Sequence, residues 1–454
     1  ENGCDVDFEK KIVRFPPGLV EECLRKAPSS FRIRARDPKN DLIIGGNRVY
    51  FTSACGMNTV DLKTWEPRVP TKQETYDALK ILDALENIHF LTVYCPYFGF
   101  EGIPPVMSIL EICAAKIRCS TKAQAEGYSR DCEIFVIKMA KALSIDIMGA
   151  CFASSPLTYY REAVEAAFRF INADLPIYVA SGCVYGATAP ATLVGALVIT
   201  SAEIIAGIIL TQLIKPGAKV VVNDYTFPLN MKSGSPLFGA IALSLHSATF
   251  NQIWRKYRIP VWSSNYCPSN SKRIDFQCGY ERAIGALINA LSGAQFIGLH
   301  GELYGEQTYS PVLAVLDDDI AGMIGRFIEG VDVNDETLAL DLIDEVGPIP
   351  GHYLNKEHTR KWWKREWFLR KVADTLTYPE WEKIGKKSCL EYAKERMEEI
   401  LATHEPKPLT EDQEDAIESI LEEAREYYLE RKLISKEEIA KYRESIKSPN
   451  YPFG

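Results

Sequence analysis

Histidine is scarce in this sequence, with 6 in 454 residues, and the 12 cysteines form no CxxC or CxxxxC pair. That removes the common zinc and iron–sulfur spacings and reads as buried, reduced thiols in a cytoplasmic protein with no tightly bound metal. Cys55, Cys95, Cys151, Cys183 and Cys267 fall near strand ends, where a small buried apolar side chain is the ordinary reading. No GxGxxG or GxxxxGK[ST] follows any apolar run, so no nucleotide cradle is written here. A positive excess is missing too. The net charge of -9 argues against nucleic acid, which needs a basic face to displace counterions, though it does not forbid a local basic patch. No signal peptide is read at the start, although residue 1 is Glu and the native start stays open. The longest apolar stretch, about 190–214, carries Glu203 in its middle and reads as a buried helix rather than a membrane span.

What is present is alternation. Residues 1–48 form a lead-in: a short helix after Pro16-Pro17, then a hairpin of Leu42-Ile43-Ile44 with Val49-Tyr50-Phe51 across Gly45-Gly46-Asn47. From 49 to 330, short β-rich runs (VYFTSAC, IHFLTVYC, KIRCSTK, IDIMGACF, PIYVASGC, KVVVND, IPVWSSNYC, QFIGLH) alternate with helical patterns. Eight strands each followed by a helix predict an α/β fold, a (β/α)8 TIM barrel, with a doubly wound open sheet as the alternative. KIRCSTK is polar for a barrel strand. Residues 331–454 contain no strand pattern and predict a helical C-terminal extension, which could dock on the barrel, build a homo-oligomer contact or hold a partner protein.

In a parallel barrel the residues just after each strand share one mouth. Here that set is rich in aromatics: Tyr94, Tyr97, Phe98, Phe100, Phe152, Tyr185, Tyr225, Phe227, Tyr266, Tyr304 and Tyr309. Converging aromatic faces suit a cation, above all a quaternary ammonium, which has no hydrogen-bond donors to satisfy. The last run passes into His300, Glu302, Tyr304, Glu306 and Gln307, and the same rim offers Asn223, Asp224 and Asn265. These groups can orient a carboxylate, an amine or a water, but no pair has the spacing that assigns an acid or a base. A second polar cluster holds His352, His358 and Arg360; two histidines six apart do not share a helix face, which argues against a metal there.

Three stretches carry a family resemblance: FPPGLVEECLRKAPSSFRIRARDPKNDLIIGG, GPIPGHYLNKEHTRKWWKREWF and WEKIGKKSCLEYAKERMEEIL. Together they resemble the trimethylamine methyltransferase superfamily, in its branch without pyrrolysine and nearest its glycine betaine:corrinoid members. Where the family pattern has Gly-Gly before the histidine of the second stretch, this sequence has Pro350-Gly351 before His352. The resemblance implies a (β/α)8 barrel whose mouth receives the cobalamin of a separate corrinoid protein. It also implies methyl transfer from a quaternary amine to Co(I), with glycine betaine giving dimethylglycine. Proline betaine, carnitine or a non-catalytic betaine-binding role are the alternatives. On this reading Tyr97, Phe98, Phe227 and Tyr304 form cage walls. His300 or His352 holds the betaine carboxylate, and Gln307 is a polar neighbour. No catalytic acid or base is assigned, and no nucleic acid or membrane partner is expected.

Overall fold

The structure is a computed structural model, and it describes residues 1–263 and 267–446. Eight parallel strands close into a barrel in sequence order: β1 Tyr50–Ser53, β2 Phe90–Leu91, β3 Ala123–Ala125, β4 Ile147–Phe152, β5 Ile177–Ser181, β6 Val220–Asp224, β7 Val261–Ser263 and β8 Phe296–His300. Each is followed by a helix: α1 Lys72–Ala84, α2 Ser108–Cys119, α3 Cys132–Leu143, α4 Arg161–Asn172, α5 Leu193–Ile214, α6 Ile241–Tyr257, α7 Phe276–Ser292 and α8 Pro311–Glu329. The (β/α)8 expectation is met. β8 pairs with β1 to complete the ring, which leaves no exposed edge.

Side chains on a strand alternate between the barrel interior and the helix layer. The interior is packed with Phe90, Trp262 and Phe296, ring centroids 4.8–5.5 Å apart, and Tyr178 lies 5.1 Å from Trp262. Below them the hairpin Ser30–Ile33 with Leu42–Gly45 closes the bottom, burying Phe31, Ile33, Leu42 and Ile44 in the same cluster. Arg34 clamps this plug to the start of β4 through Asp146, at 2.8 Å.

Two sequence expectations change. Leu42–Gly45 pairs with Ser30–Ile33, not with Val49-Tyr50-Phe51, because Tyr50–Ser53 is claimed on both sides by β8 and β2. Gly45 has φ +110 and backbone so close that a Cβ would stand 2.2 Å from the Ser29 carbonyl oxygen, which only glycine permits. The third strand is Ala123–Ala125, and KIRC is the last turn of α2. Its polarity has a purpose in a helix. Lys116 donates to the Thr92 and Ala125 carbonyls and pairs with Glu126 at 2.7 Å, and Arg118 pairs with Glu414 and Glu418 on the C-terminal helix Glu411–Glu430.

Helix α5 is apolar and long enough to cross a membrane by composition alone. One face is used on the barrel, where the buried Glu203 accepts from Ser155 Oγ, the Leu157 amide and Ser181 Oγ at 2.5–2.8 Å. After α8 only helices follow among the described residues; Cys389–Thr403 packs on α1 and α8, and Glu411–Glu430 on α3.

Candidate functional site

The β8 strand opens the site. Phe296 faces inward while Ile297 and Leu299 face helices α7 and α8. Strict alternation would send His300 into the mouth. The pairing with β1 shifts between Gly298 and His300, and the imidazole turns outward instead. It lies buried 3.7 Å from Asp318 of α8 and edge-on to Phe51. Nearby, His89 accepts from the Phe51 amide, and burial lowers its pKa to about 4.

The loop beyond His300 is the site's centre. Gly301 has φ +95, with Tyr309 filling the space a Cβ would need, and Tyr304 and Glu306 are both held in the left-handed region at φ 55 and 56. Non-glycine residues in that region are strained and are held there by their surroundings. Arg282 of α7 supplies much of that bracing. It makes a fully buried two-point pair with Asp317 of α8 at 2.7 and 2.9 Å and donates to the Glu302 carbonyl, while Asp317 accepts from the Gly301 amide.

Two carboxyls emerge from this brace. Glu302 is buried; one oxygen accepts from the Glu306 amide at 2.8 Å and the other has no hydrogen-bond partner among the described residues. Burial pushes its pKa well above the usual carboxylate range, with the neighbouring Glu306 adding to the rise. Glu306 projects into the mouth, half-buried, beside the Cys55 thiol at 3.7 Å and hydrogen-bonded by Tyr225. Desolvation raises its pKa as well, and the Cys55 thiol is likewise held up.

Aromatic rings crowd the loops at this end of the barrel. From the β2 loop, Phe98 stacks on Tyr94 with centroids 4.6 Å apart, and the Tyr94 hydroxyl end covers Gly127, where a Cβ would come within 2.4 Å. Tyr94, at φ 55, is held by Glu126, which accepts from its amide at 3.3 Å. From the β6 loop, Phe227 meets Tyr225 edge-on at 4.9 Å and Phe238 at 5.0 Å, and Phe238 lies on Gly305 of the β8 loop. Phe152 and Tyr178 line the interior beneath, 5.5 Å apart. Tyr304 stands at the rim with the Lys272 ammonium 4.1 Å from its ring centre.

The structure places Phe98, Phe227 and Tyr304 on loops at the mouth end of the barrel. It does not bring the other named residues there. Tyr97 is buried in the layer between barrel and helices, 5.5 Å from Tyr309, and donates to Thr59 Oγ1. Gln307 is exposed and meets Asn58 through its backbone carbonyl. His352 is exposed on the segment after α8, with no contact to the mouth among the described residues. Tyr185 stacks on His246 of α6, and Asp224 faces the same helix through His246 and Ser247. Asn265 and Tyr266 lie outside the described residues.

Cys55, Glu306, Tyr225 and Tyr94 were visible at strand ends, but nothing in their spacing singled them out. Phe238, Tyr178 and Lys272 carried no such signal. Phe238 is distant in sequence from any strand end, and Tyr178 lies inside β5. No cluster of three or more metal-ligating side chains occurs among the described residues.

Comparison with known proteins agrees in one direction. A family model for trimethylamine methyltransferase matches residues 1–427. The trimethylamine methyltransferase MttB of Desulfitobacterium hafniense strain DSM 10664 / DCB-2 is 29% identical over 448 residues, spanning 96% of this chain and 89% of its own. A glycine betaine methyltransferase of Desulfitobacterium hafniense strain Y51 is 30% identical over 418 residues, covering 88% and 85%. The MttB of Methanosarcina thermophila is 29% identical over 427 residues, covering 91% and 87%. This chain belongs to the trimethylamine methyltransferase family.

Proposed function

We propose that this protein takes a methyl group from a quaternary amine, with glycine betaine the first candidate, and passes it to the Co(I) of a corrinoid protein. The observation that carries this reading is the set of aromatics on the β2, β6 and β8 loops at one end of the barrel, half-buried Tyr94, Phe98, Tyr225 and Tyr304 with Phe227 and Phe238. Such a set favours a large, weakly hydrated cation without donors.

The chemistry needs little else from the protein. A quaternary nitrogen already carries full positive charge and departs as a neutral tertiary amine, so no proton has to be delivered to the leaving group. What remains is positioning the methyl group in line and excluding water. The corrinoid, as co-substrate, supplies the nucleophile that accepts the methyl. The rim offers it a surface: Met57, Leu157 and Met231, from the loops after β1, β4 and β6, are 53%, 62% and 77% exposed. Exposed apolar residues grouped about one opening suit a partner surface.

The carboxylate of a betaine needs a cation. His300 and His352, the two candidates in the sequence, stand behind β8 and on the post-barrel segment. Lys272, over Tyr304, is an ammonium at the rim and takes that role in this reading. A methylammonium substrate without a carboxylate would not use it.

An anaerobic assay with a Co(I) corrinoid and glycine betaine tests the proposal, following the methylated corrinoid in the visible spectrum and dimethylglycine among the products. Both should appear. Transfer with another quaternary amine but not with betaine would correct the substrate, and transfer with none would overturn the reaction. Lys272→Met should erase any preference for betaine over tetramethylammonium; an unchanged preference removes Lys272 from the site.

A further inference from the structure

The mouth contains a charge imbalance that the fold itself does not explain. Several buried charges are matched by an opposite one, Arg282 with Asp317, Lys116 with Glu126, Arg425 with Glu111, and the buried Glu203, which has none among the described residues, is met by three donors. Glu306 has no such match among the described residues. The groups facing it are the Cys55 thiol from the β1 loop with Cys95 of the β2 loop behind it, the Tyr225 hydroxyl from the β6 loop, and Glu302 from its own loop. Behind Glu302, Arg282 of α7 and Asp317 of α8 already neutralise each other. Lys272, from the segment leading into α7, is engaged over Tyr304 and donates to the Asn270 carbonyl.

Burial disfavours the ionised form of a carboxyl in such a place, and the Tyr225 and Cys55 donors offset only part of that cost. Yet the residue is only half-buried, on a loop at the barrel end where the aromatic rings of the β2 and β6 loops also lie. We propose that Glu306 is the counter-ion of the substrate's quaternary ammonium group and releases its proton to solvent when that cation binds. The step balances: the neutral carboxyl loses one proton, and the resulting carboxylate pairs with the fixed positive charge of the ligand. Tyr225 remains a donor to either form, so the carboxylate gains a partner without rearrangement. This inference rests on the quaternary-amine reading above.

The consequence is selectivity by charge rather than by shape. A tert-butyl group has almost the volume of a trimethylammonium group but cannot stabilise a carboxylate. Choline and 3,3-dimethylbutan-1-ol make such a pair, and glycine betaine and tetramethylammonium complete the set of probes. Calorimetric titration of the intact protein in buffers of different protonation enthalpy reads the proton directly.

The expected result is release approaching one proton for each cation bound. Cation affinity should rise by up to about tenfold per pH unit below the pKa of Glu306, and the neutral isostere should show neither effect. Glu306→Gln should abolish the proton release and flatten the pH dependence, while Glu302→Gln should keep both. Cation binding without proton release in the wild-type protein would overturn the inference and leave the substrate class standing. Proton release that survives in Glu306→Gln would overturn it too. Failure of every quaternary amine to bind at any pH would remove both the inference and the reading beneath it.

Discussion

The carboxyls behind the barrel wall and those at its mouth obey the same electrostatics and end in opposite states. Asp317, fully buried, meets Arg282 at two points and also accepts the Gly301 amide. Glu302 and Glu306, on the loop that precedes α8, meet a backbone amide, a thiol and a phenol, but no cation of their own among the described residues. A paired charge fastens the loop. A buried carboxyl without a cation costs stability, and such positions cluster at functional sites.

Breaking the wall should cost most. Arg282→Met leaves Asp317 ionised and buried without its partner, and is expected to lower unfolding free energy by about 3–5 kcal/mol, read by denaturant titration. If the loss is under about 1 kcal/mol, the pair is not what holds the β8 loop.

At the mouth the effects should be smaller and seen in binding. Phe227→Ala should weaken quaternary-amine binding by about 1–2 kcal/mol, measured by calorimetry. Unchanged affinity would take Phe227 out of the cage.

The unpaired carboxyl should also mark the pH dependence of stability. Glu302 holds its proton more tightly folded than unfolded, so the folded state binds more protons between about pH 4.3 and its raised folded value. Stability from this group is therefore present at low pH and is lost as pH rises through that window. Glu302→Gln should flatten the fall, with melting temperature followed from about pH 5 to 8. An identical slope in the variant would mean that Glu302 does not titrate there.

The smallest change is expected at His352, which is exposed. His352→Ala should alter stability and ligand affinity by less than about 0.5 kcal/mol. A selective loss of betaine over tetramethylammonium would instead place His352 at the carboxylate and displace Lys272.

Much of the fold could be read directly. Val220, Val221 and Val222, and Ile177 to Ala180, are runs that only a strand covered on both faces tolerates, and α5 and α8 have the length and apolar content of barrel helices. The third strand could not be read this way. Lys116 and Arg118 are polar residues whose partners, Glu126 and Glu414 with Glu418, are distant or in another element, so their burial is invisible in a local pattern. The site divides likewise. Phe98 and Phe227 follow strands and reach the mouth as a barrel requires, while Tyr97, one residue from Phe98, turns into the helix layer against Tyr309.

By itself the sequence determined the alternation, the barrel and the loops that meet at its mouth, because burial periodicity and strand length are local properties of the chain. Tertiary structure alone decided which strand-end residues enter that mouth. One register shift between Gly298 and His300 sends the imidazole to Asp318, and the brace of Arg282 on Asp317 holds the loop that carries Glu306. Direction and pairing depend on neighbours that only the closed ring brings together.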